Sequence, residues 1–151
     1  MIAQGDLSFL DILLTPLYIF IIWFIASFIK NKHILAHSEY KYFLYGLAAK
    51  MGGAIALGLV YYFYYADGGD TTNYFETAQA YINLFSKNRE DFFTGWLGDA
   101  QGMDRYYFDD ETGYPIYFHR DKHSFFVVRL LIPIVALGCK TYFSTAILIS
   151  T

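Results

Sequence analysis

The sequence predicts an all-α fold, a polytopic transmembrane helical bundle with one large outer loop that contains an amphipathic helix. Three observations predict it. Hydrophobic residues make up 56% of the chain and aromatics 21%, above the apolar share of ordinary soluble domains. The aliphatic residues gather in three runs, Phe9 to Ile29, Tyr42 to Ala66 and Phe125 to Thr151. The charge gathers in Asp67 to His123, where eleven acids face five bases. A bilayer imposes this segregation, because its interior accepts apolar side chains and excludes charge.

The first run, Phe9 to Ile29, is long enough to cross a hydrocarbon core of about 30 Å, which takes about 20 apolar residues in a helix. It holds one acid, Asp11, and one proline, Pro16. A membrane helix tolerates that proline because neighbouring groups satisfy the carbonyl it frees. The run is too long and too aromatic for a signal-peptide core, and no small-residue cleavage site follows it, so it reads as a retained span.

The second run is rich in small residues, with Ala49/Gly53 and Ala54/Gly58 at a spacing that lets another helix approach closely. It ends in Tyr61, Tyr62, Phe63, Tyr64 and Tyr65, an aromatic belt suited to the headgroup level. Lys50, about two turns inside, reads as a snorkelling amine.

The third run breaks in the middle. Phe125 to Leu137 is short for a span, Gly138-Cys139-Lys140-Thr141 reads as a tight polar turn, and Tyr142 to Thr151 begins a further apolar helix. A half-span is unstable alone, so the chain is expected to be the N-terminal part of a longer product, or its last helix to depend on a partner. Three segments result: 1–66, two transmembrane helices joined by a short cytoplasmic loop; 67–123, an acidic extracytoplasmic loop; and 124–151, a short transmembrane helix, a turn and the start of a truncated helix.

Basic residues in short loops set the expected orientation. Lys30, Lys32 and Lys41 outweigh Glu39 between the first two spans, which places 30–41 in the cytoplasm. The N-terminus and 67–123 then lie outside, and Lys140 returns to the cytoplasmic face. The expected location is the cell (inner) membrane, with several passes.

The outer segment opens with Asp67-Gly68-Gly69-Asp70-Thr71-Thr72-Asn73-Tyr74-Phe75, where two glycines permit a sharp turn at the membrane surface. Residues 74, 75, 78, 81, 82 and 85 are apolar or aromatic, which predicts an amphipathic helix over 71–86. Its apolar face suits a membrane surface or other spans. Asp70 falls at the N-cap position, where its carboxylate accepts from the free amides of the first turn. The same geometry supports chemistry: a carboxylate at the outer end of a span can act as general base while the helix start holds a lipid-linked phosphate.

Farther on, Asp109-Asp110-Glu111 is the kind of cluster that binds Mg²⁺ or Mn²⁺, and equally the kind that stands solvated in a loop. His119, Asp121 and His123 lack a matching His or Cys cluster for a metal site. Tyr106, Tyr107, Phe108, Tyr114, Tyr117 and Phe118 suit stacking on sugar rings or resting at the lipid interface. Arg129, near the start of the third run, is either a snorkelling residue or an anion contact.

Other chemistries find no support. No dense basic patch exists to neutralise phosphates, which argues against a nucleic-acid partner. The lone Cys139 reads as a packed thiol. No Walker loop, dinucleotide fingerprint, HExxH or nucleophile elbow is present.

The pattern of a span ending in aromatics, then Gly68-Gly69-Asp70-Thr71-x-x-Tyr74-Phe75 leading into an amphipathic helix, then an aliphatic run with Arg129 near its start, resembles bacterial polytopic glycosyltransferases of the GT-C type and the related polysaccharide-repeat polymerases. The resemblance covers roughly Tyr61 to Tyr81, and hydropathy alone carries it further. It implies a polyprenyl-phosphate-linked sugar donor, a glycan acceptor, and further transmembrane helices to complete the lipid cavity. Carried over, the catalytic acid falls on Asp70, with Asp67 second; Arg129 contacts the lipid phosphate, and Thr71 and Tyr74 belong to the substrate site. The rival expectation is a non-enzymatic transporter or assembly subunit, in which Asp70 is a cap and the aromatic loop a lid.

Overall fold

The computed structural model describes residues 9–65, 69–98, 107–115 and 121–151. Every regular element among them is helical: α1 (Phe9–His33), a 3₁₀ turn (Ser38–Tyr42), α2 (Phe43–Phe63), α3 (Asp70–Lys87), α4 (Arg89–Leu97), α5 (Lys122–Leu137) and α6 (Tyr142–Ser150). Two helical stretches, Phe9–His33 and Ser38–Phe63, are long and apolar enough to cross a membrane. A third crossing arises only if α5 and α6 count together as one broken span. The helices divide into two compact units, 1–66 with 141–151, and 67–140.

In the first unit α1, α2 and α6 pack together. Their shared core is Ala26, Leu47, Met51 and Ile147, with Tyr18, Ile19 and Ile22 against it. Ala26 lies late in α1 and Leu47 early in α2, so the two helices run antiparallel across the short 34–42 connection. Most of α1 turns outward: Phe20, Phe24 and Phe28, one turn apart, are each about two-thirds exposed. A stripe of that kind is stable where the surroundings are themselves apolar. Pro16 is accommodated within α1.

The start of α6 is held at one end of this unit by two contacts. The Phe143 N–H donates to an Asp11 carboxylate oxygen at 3.1 Å. Gly58 offers the space for the Phe143 ring, since a Cβ there would lie 2.9 Å from that ring. Asp11 is in the first turn of α1 and Gly58 in the last turns of α2. Tyr142 therefore stands at the end of the unit where α1 begins and α2 finishes. Helix α5 buries one face against its neighbours as a globular helix does, and hydropathy does not register which face is covered.

The second unit is built around α3. Ala78, Tyr81 and Leu84, on one helical face, are almost wholly buried against α5 and α4. From α5 come Phe125, Val128, Ile132 and Val135, at spacings of three and four, and from α4 comes Phe92. The Tyr81 ring meets Phe108 edge-on at 5.2 Å and tilts against Phe125 at 5.5 Å. The buried Thr77 hydroxyl donates to the Asn73 carbonyl one turn back, at 2.8 Å. Thus α3 spends its apolar face on protein, while its far side is polar.

Candidate functional site

Gly69 is the N-cap of α3, with extended backbone, and its carbonyl accepts from the Thr72 and Asn73 amides at 3.0 and 3.1 Å. Asp70 is consequently the first helical residue, one position inside the cap that spacing assigns to it. A glycine satisfies the cap conformation without a side chain, and a carboxylate in the first turn still faces the positive end of the helix dipole. Asp70 is exposed, and among the described residues its carboxylate has no hydrogen-bond partner. Thr71 is exposed beside it, and Tyr74, one turn on, is half-buried. Asp67 lies outside the described residues.

Arg129 stands elsewhere in the same unit. Its guanidinium rests over the Phe125 ring at 4.8 Å, and Nη2 donates to the Gly98 carbonyl. Its own carbonyl accepts from the Trp96 indole at 3.2 Å, while Nε is buried with no partner among the described residues. These bonds pin the end of α4 to the middle of α5. Its charge is felt at Tyr81, whose phenol burial pushes well above its usual range while Arg129 opposes the rise. Tyr81 is eleven residues along α3 from Asp70, about 16 Å at the helical rise. Asp70, Thr71 and Tyr74 lie in the first two turns of α3, while Arg129 on α5 contacts Phe125, Trp96 and Gly98.

The acidic loop is organised by its own residues. One Asp109 carboxylate oxygen accepts from the Glu111 and Thr112 amides at 3.1 and 3.0 Å, and Gly113, at φ +76°, closes the turn. Lys87 pairs with Asp109 and, at 3.4 Å, with Glu111. The Lys87 hydrogen bond, helped by the Thr112 amide, holds the Asp109 carboxyl down to about 2. Among the described residues no three His, Cys, Asp or Glu side chains converge as metal ligands would. Of the loop aromatics, Phe108 is spent in the core, and Tyr107 and Tyr114 are exposed; Tyr106, Tyr117, Phe118 and His119 lie outside the described residues.

Three features escape the residue patterns. Helix α4 announces itself only through Asn88, whose side-chain oxygen accepts from the Glu90 and Asp91 amides; an Asn followed three residues later by Asp is the signal that finds it. Asp121 caps α5, accepting from the His123 and Ser124 amides and, at 2.6 Å, from the Ser124 hydroxyl. Those bonds, the hydroxyl's first, lower its carboxyl below the ordinary range, and they commit it to structure rather than to a metal with His123. Finally, Lys140 donates to Asn83 at 2.7 Å, Asn83 to the Thr112 carbonyl at 3.1 Å, and Gln79 to the Lys140 carbonyl at 2.8 Å. The polar side of α3 thereby ties the acidic loop to the turn after α5.

No family model, no curated protein and no solved structure matches the chain, and its functional reading rests on these residues.

Proposed function

We propose that this membrane protein works in a glycosyltransferase or polysaccharide polymerase that draws its sugar from a polyprenyl-phosphate carrier, with Asp70 as the general base. The observation that carries the reading is an exposed carboxylate with no hydrogen-bond partner among the described residues, at the start of a helix that follows the aromatic end of a membrane-spanning helix. Asp70 takes the proton of the acceptor hydroxyl as that oxygen attacks the anomeric carbon. The bond from that carbon to the carrier's phosphate oxygen breaks, and the carrier leaves with the electron pair. Thr71 and Tyr74 flank the acceptor, and Asp67 is the alternative base.

The test is glycan synthesis in cells. Asp70→Asn abolishes it while the amount of protein in the membrane is unchanged, and synthesis retained in both Asp70→Asn and Asp70→Ala rules the assignment out. A second reading, a non-enzymatic membrane subunit or transporter, is favoured by Arg129, whose guanidinium is engaged by Phe125 and the Gly98 carbonyl. Under it, Asp70→Asn and Asp70→Ala both leave synthesis intact, and Arg129→Ala, which frees the end of α4, lowers the protein level.

A further inference from the structure

The positive charge of the first unit collects at one end. Lys30 and Lys32 stand in the last turn of α1, and Lys41 in the 3₁₀ turn that leads into α2. Against them the connection carries one acid, Glu39. Among the described residues the ion pairs are those of Lys87, so no carboxylate neutralises these three lysines. Lys32 and Lys41 are exposed and Lys30 is half-buried. No side chain caps the start of α2 and no acid lies in its first turn, so the positive end of that helix adds to the same place.

A fourth amine is directed there from within α2. Lys50 is exposed, about two turns from the helix start. Helical side chains lean toward the N-terminus, and one turn in that direction is Gly46, where nothing lies within 4 Å. The Lys50 stem therefore has open space to run toward the connection. The connection itself is braced by rings. Tyr40 stacks on His33 at 5.2 Å and meets His37 at 6.2 Å and Phe43 at 5.7 Å, which joins the last turn of α1 to the first of α2.

Position and layering select the occupant. Helices α1 and α2 are each long and apolar enough to cross a bilayer, and they run antiparallel within one compact unit. The short connection between them then falls at headgroup level, whichever leaflet it meets. One turn deeper than Lys32 and Lys41 stand Phe28 and Tyr45, 69% and 75% exposed. Amines above exposed rings match a molecule with a phosphate above an acyl chain, and net negative headgroups are the ones that complement unpaired ammonium groups.

We infer that this end of the chain binds anionic phospholipid, its phosphate engaged by the ammonium groups of Lys30, Lys32, Lys41 and Lys50. The inference requires α1 and α2 to cross the bilayer and is independent of any catalytic role for Asp70.

The experiment places the full chain in phosphatidylcholine bilayers with a trace of spin-labelled phosphatidylglycerol or spin-labelled phosphatidylcholine. Electron spin resonance reads the share of each probe immobilised at the protein. The phosphatidylglycerol probe is expected to be enriched several-fold over the phosphatidylcholine probe, and molar salt to reduce the enrichment. Joint replacement Lys30→Gln, Lys32→Gln, Lys41→Gln and Lys50→Gln is expected to abolish it, with the phosphatidylcholine share unchanged as the sign of an intact fold. Arginine at the same four positions is expected to retain it, as is Arg89→Gln with Arg105→Gln and Arg120→Gln, which removes charge from the second unit. Equal shares of the two probes on the unmodified chain, or an enrichment that survives the four glutamines, would overturn the inference. So would polyglutamate binding to the liposome-borne chain while the two probes stay equal, since the occupant would then be an acidic protein segment.

Discussion

The Asp11 carboxylate is 9% exposed and takes the Phe143 amide, with the Tyr142 amide beside it. The α6 N-cap residue, Thr141, makes no side-chain cap bond, so a residue of another helix supplies the oxygen that the first turn of α6 needs. Asp11→Ala is expected to lower the stability of the chain by about 1–2 kcal/mol, and Asp11→Asn, which keeps one acceptor, by less; thermal unfolding in detergent reads both. The Lys87–Asp109 pair predicts a pH effect. Because the folded carboxyl is held down to about 2, its contribution is complete above the ordinary carboxyl range near 4 and is lost as pH falls toward 2. A carboxyl-carbon NMR titration should find Asp109 ionising near 2, and Lys87→Met or molar salt should move it upward. A midpoint that ignores both changes would show that Lys87 is not the cause. Residue spacing found Asp70 at the start of a helix and missed its position by one. A cap of aspartate and a cap of glycine are both stable, and no pattern in Gly68-Gly69-Asp70 chooses between them. The Asp11 contact was beyond any local pattern, since its partner is 132 residues away.

The turn after α5 and the end of α2 each hold a constrained position. Helix α5 stops in a C-terminal motif in which the Cys139 amide reaches back to Ala136 and the Lys140 amide to Val135, at 3.2 and 2.9 Å. Cys139 has φ 54° and Lys140 φ 60°, the left-handed region that glycine enters most easily. Cys139 is exposed, not the packed thiol that its apolar run suggests, so Cys139→Gly is expected to stabilise the turn by relieving the left-handed backbone, seen as a raised unfolding midpoint, and a lowered midpoint would overturn this. On α2, Gly58 leaves room for Phe143, so Gly58→Val is expected to cost about 1–3 kcal/mol by overpacking. At Gly53, where nothing lies within 4 Å, the same substitution is expected to leave the midpoint nearly unchanged. Small-residue spacing marked α2 as a packing helix and included Gly58 in its pairs. It did not tell Gly58 from Gly53, because which face meets α6 is a property of the assembled bundle.

At the scale of the whole chain, the two long apolar runs and the helical spacing over 71–86 were legible because length and periodicity are local properties. The turn at Gly138 to Thr141 was legible too, as a polar break in an apolar run. Which face of α5 is covered was not. Phe125 to Leu137 has the composition of a span, yet half of it is spent on Tyr81 and its neighbours, and only the packed structure shows that its arginine faces inward.

The bond between Asp11 and the Phe143 amide also sets a timetable for biosynthesis. The first helix reaches the bilayer long before its capping partner exists; at a translation rate of about 5–20 residues per second, the ribosome takes roughly 7 to 26 seconds to make the 132 residues between them. Until then the Asp11 carboxylate lacks the Phe143 amide that it accepts from in the folded chain.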